Sequence, residues 1–286
     1  MPHERQVDDA ASDSSGPEFD TALFAEPPEF FPPPPEGKVV TYTRCVPAER
    51  HVCAYGDVVV LPLRLAPKHS LWAHELWNAS HFVARLLDTG QLDVRGHTCL
   101  ELGAGAGLLS LIAALNGAAA AVATDYAREN DVSLLGPLAA NAAWLNQLRE
   151  RASRPGSCEV AVLPHVWGTD TGDVRAAAGA SGCYSTVFCA DLLFNRSCHS
   201  DLLVTLDACL AETGVAHVAF SHHDPQKREL DLAFFTKAHI CGFAVTHVVD
   251  YRFERDLFVE NDGLDDQRAV VHYYTLTRSG GRDSIV

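Results

Sequence analysis

The sequence is short of basic residues: its 286 residues include 22 lysines and arginines against 37 aspartates and glutamates, a formal net charge of −15. Because an acidic surface repels a polyanion, this balance argues against DNA or RNA as a direct partner and suits a basic one. The sequence also lacks any cysteine pair spaced C-x-x-C, and its nine cysteines are scattered. We therefore expect no metal, no disulfide framework and a reducing compartment.

Long uninterrupted apolar runs are absent as well. The longest, Leu108 to Ala123, is broken by Asn116 and Gly117, and the N-terminal residues are polar and acidic. A membrane-spanning helix needs about 20 apolar residues, and a secretory signal needs an apolar stretch behind a basic start. We therefore expect a cytoplasmic protein without a membrane partner.

Composition divides the chain into four parts. Residues 1–22 carry six acidic residues and one basic residue without apolar periodicity, which predicts a disordered acidic tail. Residues 23–95 open with LFAEPPEFFPPPP, whose four consecutive prolines favour an extended strap lying across the core. A hairpin and a helix are predicted to follow the strap. Residues 96–278 are predicted to form the core domain, and residues 279–286 a short tail.

The most informative segment reads CLELGAGAGLLSLIAALNGAAAAVATDY, from Cys99 to Tyr126. It predicts a buried strand over Thr98–Leu102, a helix over Leu108–Leu115 and a second strand ending at Asp125. Three alternate glycines form the first turn: Gly103, Gly105 and Gly107. Glycines let a ligand approach the backbone, and an acidic residue ending the second strand can accept both ribose hydroxyls of an adenosine. The segment therefore predicts a nucleotide-cofactor site.

The glycine spacing separates two classes of cofactor. Dinucleotide-binding folds carry G-x-G-x-x-G, whereas this turn has G-x-G-x-G, with Leu108 in place of the third glycine. With Glu101 in front, the pattern E-x-G-x-G-x-G resembles motif I of class I S-adenosylmethionine-dependent methyltransferases. For the glycines alone, the alternative is an ordinary strand-to-helix turn. Asp125, which ends the next strand at the correct spacing, argues against that alternative.

Strands and helices alternate beyond the glycine turn. The second strand of the glycine segment is predicted over Ala119–Thr124, and three further strands over Glu159–Val166, Tyr184–Ala190 and Val215–Ser221. Besides Leu108–Leu115, the predicted helices are Leu71–Leu87, which precedes the glycine turn, and Pro137–Leu148, Ser197–Leu210 and Gln226–Cys241, which follow it. No helical period separates Phe243–Tyr251 from Val270–Thr277, so these strands should pair antiparallel. The fold class is therefore α/β, a Rossmann-like class I methyltransferase fold whose seven-stranded, mostly parallel sheet ends in an antiparallel strand pair.

Several motifs together resemble one family. They are LFAEPPEFFPPPP, HSLWAHELWNAS, ELGAGAG, ATDY, VWG, ADLLFN, AFSHHDP and FVENDGL. From about Leu23 to Arg278 the chain resembles the fungal branch of nicotinamide N-methyltransferase-like, seven-β-strand protein methyltransferases. This branch acts on the N-terminus and adjacent lysine of translation elongation factor 1-alpha. The resemblance implies S-adenosyl-L-methionine as the cofactor and that elongation factor as the protein substrate.

The resemblance also implies site residues, position by position. Asp191 and Phe194 match the D-x-x-Y/F element that lines the acceptor channel, and we predict them as catalytic. Where the family often has serine before that aspartate, this chain has Ala190, which keeps a backbone contact but loses a hydroxyl. The predicted cofactor contacts are Trp77, Gly103, Ala104, Gly105, Asp125, Trp167 and Ala190.

Some of these residues also have a purely structural interpretation. Trp77 has apolar helical neighbours and could be a buried helix residue, so only the motif favours its role as a ligand contact. Trp167 could equally be a core anchor. Asp191 can serve as a negative charge at the start of the following helix. His222 and His223, adjacent on an extended segment, should point in opposite directions, which favours a structural or substrate-edge role over a metal site.

The chemistry implied by the resemblance needs no metal, since the sulfonium of the cofactor is already activated and positioning is the main task. Asp191 can hold an incoming ammonium, and Phe194 can face the cation as methyl groups accumulate. Two other functions stay open. One is a small-molecule N-methyltransferase acting on nicotinamide or a related pyridine, and the other is a non-catalytic cofactor-binding module.

Overall fold

Strands and helices alternate in the computed structural model, which describes residues 37–47, 58–68, 71–127, 133–152, 158–253 and 268–280. The strands are β1 (Val39–Thr43), β2 (Val60–Arg64), β3 (Thr98–Leu102), β4 (Ala120–Asp125), β5 (Val160–Pro164), β6 (Tyr184–Ala190), β7 (Leu210–Phe220), β8 (Phe243–Arg252) and β9 (Val270–Arg278). The helices are α1 (Asn78–Thr89), α2 (Leu108–Leu115), α3 (Leu135–Ala152), α4 (Gly172–Ala177), α5 (His199–Cys209) and α6 (Arg228–Ile240). Across the described residues, none of the helices is long and apolar enough to cross a membrane.

Seven of the strands form one sheet in the order β5-β4-β3-β6-β7-β9-β8. Strands β3 to β7 pair parallel, whereas β9 pairs antiparallel with both β7 and β8. The predicted fold class is therefore confirmed, including the antiparallel pair at the C-terminal end. Strands β1 and β2 form a separate antiparallel hairpin.

The strand order fixes where a ligand can bind. From β3 the order runs through β4 to β5 on one side, and through β6 to β7 on the other. At such a switch point the flanking connections leave on opposite faces of the sheet, and a crevice opens beyond the carboxyl ends of the strands. The turn after β3 and the loop after β6 border this crevice.

Two apolar clusters cover the faces of the sheet. One contains Leu109 and Ile112 of α2, and the other contains Leu206 of α5 and Phe234 of α6. All four side chains are fully buried. Burial on both faces explains why the parallel strands read as nearly continuous apolar runs in the sequence.

The structure corrects three predicted elements. The strand predicted over Val215–Ser221 begins earlier, at Leu210, and its pairing with β6 shifts register between Tyr184 and Thr186. The helix predicted over Leu71–Leu87 is wrong at its start, because α1 begins at Asn78 and Trp77 is extended, with φ −71° and ψ 154°. Helix α4 was not predicted, since it has six residues and buries only Val174. The bounds of β3, α2 and β6 agree with the sequence prediction.

Some predicted segments lie outside the described residues. They are the acidic tail at 1–22, the proline-rich strap at 23–35, the hairpin turn at 55–57, the FVENDGL motif at 258–264 and the end of the tail at 281–286. Their assignments, and the division of the chain into four parts, stay predictions.

A buried carboxylate connects the β1–β2 hairpin to the core. Asp88 in α1 accepts hydrogen bonds from Arg44 Nε at 2.7 Å, the Tyr42 hydroxyl at 3.0 Å and the Cys45 N–H at 3.1 Å. Arg44 also donates to Asn116 Oδ1 at 2.6 Å, at the end of α2. The side chains of Arg44 and Asp88 are 2% and 0% exposed, so water does not compensate either charge. The pair therefore joins the hairpin to α1 and α2.

We expect Asp88→Asn to lower the free energy of unfolding by about 3 to 5 kcal/mol, because Arg44 is left buried without its charge partner. Urea denaturation measures the change. The matched control is Asp93→Asn, which alters the exposed pair of Asp93 with Arg95 and should cost less than about 1 kcal/mol. Equal losses in the two variants would contradict this role of Asp88.

Candidate active site

The turn after β3 requires glycine. Gly103, Gly105 and Gly107 have φ values of 58°, 54° and 76°, which L-residues with side chains rarely adopt. At Gly103 a Cβ atom would also lie 2.6 Å from Leu192 Cδ2, whereas at Gly105 the nearest neighbour would be Ala73 Cβ at 4.0 Å. The turn is therefore closely packed at its first glycine and borders open space at its second.

Asp125 ends β4 beside this turn. One carboxylate oxygen accepts the Gly105 N–H at 2.7 Å, and the other accepts the Tyr126 N–H at 2.7 Å. A carboxylate has about four acceptor positions, so it can serve the turn and a ligand hydroxyl together. Asp125 thus links the two halves of the nucleotide-cofactor motif predicted from the sequence.

Glu101 precedes the turn and is buried beneath it. Its oxygens accept the N–H groups of Leu109 at 3.3 Å and Ser110 at 2.8 Å, in the first turn of α2. Burial raises the pKa of Glu101 to about 7; the hydrogen bonds from Ser110 oppose the rise, and the charge of Asp125 adds to it. Glu101 therefore stabilises the start of α2 and is sensitive to pH in the neutral range.

Two further predicted residues lie at or just beyond the carboxyl ends of other strands of the sheet. Trp167 follows β5; it is half-buried, and its Cζ2 atom would lie 3.2 Å from a Cβ placed on Gly103. It lines the crevice and also packs against the apolar cluster of α5 and α6, so its role as a cofactor contact stays a prediction. Ala190 ends β6, opposite Ala219 of β7.

Asp191 connects three elements through hydrogen bonds. Its carboxylate oxygens accept the N–H of Ser221 at 2.9 Å, just after β7, and the N–H of Ala79 at 3.1 Å, in the first turn of α1. The sequence alone predicted the Asp191 charge at the start of the helix that follows it. In the structure the carboxylate instead accepts an N–H group at the start of α1. The side chain is 2% exposed. Asp191 has φ 54°, a conformation that is strained for a residue other than glycine.

Trp77 stands immediately before α1 rather than within it. Its indole Nε1 donates to the Trp72 carbonyl at 2.8 Å, and the residue is 8% exposed. Phe194, three residues beyond Asp191, is half-buried, and its ring centroid lies 6.1 Å from that of Trp72. The segment before α1 therefore approaches the loop after β6 across the crevice.

All nine predicted site residues line a single cavity of about 520 Å³. This volume falls in the range of small-molecule and cofactor sites. Sequence reasoning did not single out Trp72, Glu75, Tyr126 or Asp201, which line the same cavity. For Trp72, the one sequence signal was its position in the HSLWAHELWNAS motif.

The two adjacent histidines point in opposite directions, as predicted. His222 Nδ1 lies 2.8 Å from an oxygen of Asp231 in α6, whereas His223 Nε2 lies 3.4 Å from Asp191 Oδ1. Within the described residues, no group of three or more histidine, cysteine, aspartate or glutamate side chains is arranged to hold a metal ion.

Comparison with known proteins identifies the family of this chain. The family model described as lysine methyltransferase matches residues 68–240. The protein N-terminal and lysine N-methyltransferase efm7 of Schizosaccharomyces pombe is 33% identical over 89% of this chain and 94% of its own length. The corresponding protein of Eremothecium gossypii is 36% identical over 90% of this chain and 94% of its own. The chain belongs to this family. It is therefore an S-adenosylmethionine-dependent protein methyltransferase.

Among solved structures, a TehB-like S-adenosylmethionine-dependent methyltransferase from Corynebacterium glutamicum is 12% identical. It has a TM-score of 0.42 and covers 71% of this chain and 89% of its own length.

The cavity of this methyltransferase fits S-adenosylmethionine. Gly105 leaves room for the cofactor beside the backbone, because no atom lies closer than 4.0 Å to where its Cβ would be. Asp125 presents a carboxylate at the end of β4, where ribose hydroxyls are held in nucleotide-binding folds. The half-buried ring of Trp167 borders the same space. The volume and the polar groups both suit an adenosine with an attached amino acid.

Asp125→Asn should weaken the binding of S-adenosylmethionine about 10- to 100-fold, since hydrogen bonds to a charged group contribute about 1.5–3 kcal/mol. Isothermal titration calorimetry measures the dissociation constant. The matched control is Asp173→Asn, on the exposed face of α4, which should bind with unaltered affinity. An unchanged dissociation constant for Asp125→Asn would remove Asp125 from the cofactor site.

Glu101 predicts how stability depends on pH. Because its pKa is raised to about 7 from 4.5, the folded protein binds more protons than the unfolded chain between these values. The contribution of Glu101 to stability therefore decreases as pH rises through this window, by about 3 kcal/mol. Histidines such as His81 and His217, whose pKa values are lowered to about 4 by burial, contribute the opposite trend below pH 6.5. Glu101→Gln should lack this contribution of Glu101, so the free energy of unfolding of the unmodified protein minus that of the variant should fall as pH rises from 5 to 8 in urea denaturation.

The matched control is Glu212→Gln, which alters a glutamate whose side chain is 80% exposed. Its stability should vary with pH as in the unmodified protein. If the difference between Glu101→Gln and the unmodified protein stayed constant with pH, Glu101 would not be the source of this contribution.

Proposed function

We propose that this methyltransferase modifies the N-terminal α-amine and adjacent lysine of translation elongation factor 1-alpha in the cytoplasm. The observation that carries the proposal is the match, over about nine-tenths of the chain, to relatives named as protein N-terminal and lysine N-methyltransferases. The motif resemblance noted above supplies the substrate. The net charge of −15 suits a basic protein surface.

The proposed cofactor site comprises the predicted residues at the strand ends. Gly103, Ala104 and Gly105 would border the methionine part of the cofactor, and Asp125 would accept hydrogen bonds from its ribose. Trp167 would contact the adenine ring through its indole face. Trp77 and Ala190 would complete the site from the start of α1 and the end of β6. When bound, S-adenosylmethionine supplies a methyl group activated by its sulfonium.

The acceptor amine must be uncharged when it attacks. An α-amine has a reference pKa of about 8 and a lysine of about 10.4, which makes the α-amine easier to deprotonate at neutral pH by roughly 3.3 kcal/mol. The N-terminus is therefore the easier acceptor, and the lysine the more demanding one. The proton is released to water.

Asp191 and Phe194 would orient the acceptor. The Asp191 carboxylate is held by two backbone N–H groups, so it keeps its place as an amine arrives. Its side chain is 2% exposed, so its negative charge would act mainly through the field that it creates at the cavity wall. The half-buried ring of Phe194 borders the same cavity. These two residues are the proposed catalytic pair.

The decisive measurement incubates the purified chain with methyl-labelled S-adenosylmethionine and elongation factor 1-alpha, followed by mass spectrometry of its N-terminal peptide. We expect label on the α-amine and on the adjacent lysine. Peptides with an acetylated α-amine, or with arginine in place of the lysine, serve as matched controls and should each lose one site of labelling.

Other outcomes would assign a different function. Label on nicotinamide and none on the elongation factor would establish a small-molecule methyltransferase instead. Cofactor binding without transfer to either acceptor would favour the non-catalytic module. Asp125→Asn in the same assay should reduce transfer at limiting cofactor, which connects any transfer observed to the cavity described above.

A further inference from the structure

Trp72 has an unusual backbone conformation for a bulky residue. Among the described residues, two other than glycine have positive φ: Trp72 at 62° and Asp191 at 54°. Both line the same cavity. The Trp77 indole donates to the Trp72 carbonyl at 2.8 Å and so holds it in this conformation. Strained residues of this kind concentrate at ligand sites, because the surrounding structure must stabilise them.

Three aromatic rings meet beside Trp72. Its ring centroid lies 5.3 Å from that of Trp77 and 6.1 Å from that of Phe194, and all three residues line the cavity. The buried imidazole of His223 contacts each of them, with centroid distances of 4.4 Å to Trp77, 5.3 Å to Trp72 and 5.7 Å to Phe194. His223 therefore holds the three rings together as a positioning residue.

The cavity carries negative charge. Its lining includes four carboxylates and, among the described residues, neither lysine nor arginine. One of the four pairs with Lys38, which lies outside the lining. The four are Glu75, Asp125, Asp191 and Asp201. Since the faces of aromatic rings attract cations, most strongly where water is excluded, rings and charges favour the same kind of ligand.

Trp72 lies between the glycine turn and the loop after β6. The Cβ atom of its neighbour Ala73 lies 4.0 Å from where a Cβ on Gly105 would be, in the glycine turn. On its other side Trp72 faces Phe194. The aromatic group therefore lies where the glycine turn and the loop after β6 approach each other, beside the proposed cofactor site.

We propose that Trp72 and Phe194, positioned by His223, form a binding subsite for a cationic amine, including its methylated ammonium forms. In assigning this cation to the acceptor, the inference rests on the proposed function. Trp72 acts through the face of its indole ring, so a purely apolar side chain of similar size cannot replace it. A protein that adds methyl groups to one nitrogen would thereby retain affinity for an acceptor that becomes permanently charged.

The test compares two small ligands of the same shape. Choline carries a quaternary nitrogen, and its neutral isostere is the alcohol in which carbon replaces that nitrogen. The full chain is first saturated with S-adenosylhomocysteine, whose sulfur is neutral, so the cofactor adds no sulfonium charge. Titration followed by NMR gives the dissociation constant of each ligand. We expect the unmodified protein to prefer choline about tenfold.

Trp72→Leu should reduce this preference to less than about twofold, whereas Trp72→Phe should keep most of it, because phenylalanine retains an aromatic face. The matched control is Trp144→Leu in α3, a tryptophan outside the cavity lining, which should keep the full preference. Affinity for S-adenosylhomocysteine should be unchanged in all three variants, which also shows that the site still folds.

Three results would overturn the subsite. They are no preference for choline in the unmodified protein, an equal loss of both ligands in Trp72→Leu, and a loss of S-adenosylhomocysteine affinity in that variant. An equal loss of both ligands would show that Trp72 is only an apolar wall of the cavity. A loss of S-adenosylhomocysteine affinity would show that Trp72 contacts the cofactor. If elongation factor 1-alpha receives no label but Trp72→Leu abolishes the choline preference, the proposed substrate is wrong and the subsite stands.

Discussion

The active site depends on the carboxylate of Asp191. It accepts N–H groups from residues 112 and 30 positions away in the sequence, at the start of α1 and the end of β7. Both N–H groups are buried where these elements converge, and a buried N–H group without an acceptor is costly. The Asp191 carboxylate supplies the acceptor for both. One side chain thereby fixes the end of β6, the first turn of α1 and the loop that carries His223.

The sheet provides the frame on which this interaction acts. The parallel strands end at one edge of the sheet, so residues at their carboxyl ends converge without any need for proximity in the sequence. They are the turn after β3, Asp125 at the end of β4, Trp167 after β5 and Asp191 after β6. The segment before α1 supplies the opposite wall, with Trp72 and Trp77. The family relationship agrees with this division, since the matched region begins at residue 68, shortly before that wall.

The sequence was sufficient for the parts of the molecule that follow from local pattern. β3, α2 and β6 were predicted with their bounds because apolar runs and glycines determine them over a few residues. The start of α1 was not predicted correctly, because the apolar period continues through Leu71–Trp77. The helix begins at Asn78, where Asp191 accepts the Ala79 N–H. The nine site residues converge as motif and strand order predicted, although their roles stay proposals. Trp72 was missed as a wall residue because tertiary contacts alone bring its ring against those of Phe194 and His223.

The contribution of α1 and the residues before it to the cavity has a consequence for the smallest active fragment. The sequence suggests a boundary near residue 96, and a fragment that started there would contain every strand of the large sheet. It would also lack Trp72, Trp77 and the N–H of Ala79, so the Asp191 carboxylate would lose a hydrogen-bond donor and the cavity would lose one side. Truncation at the apparent domain edge would therefore remove residues proposed to contact both the cofactor and the substrate, and shortened versions of the enzyme must retain the residues before α1.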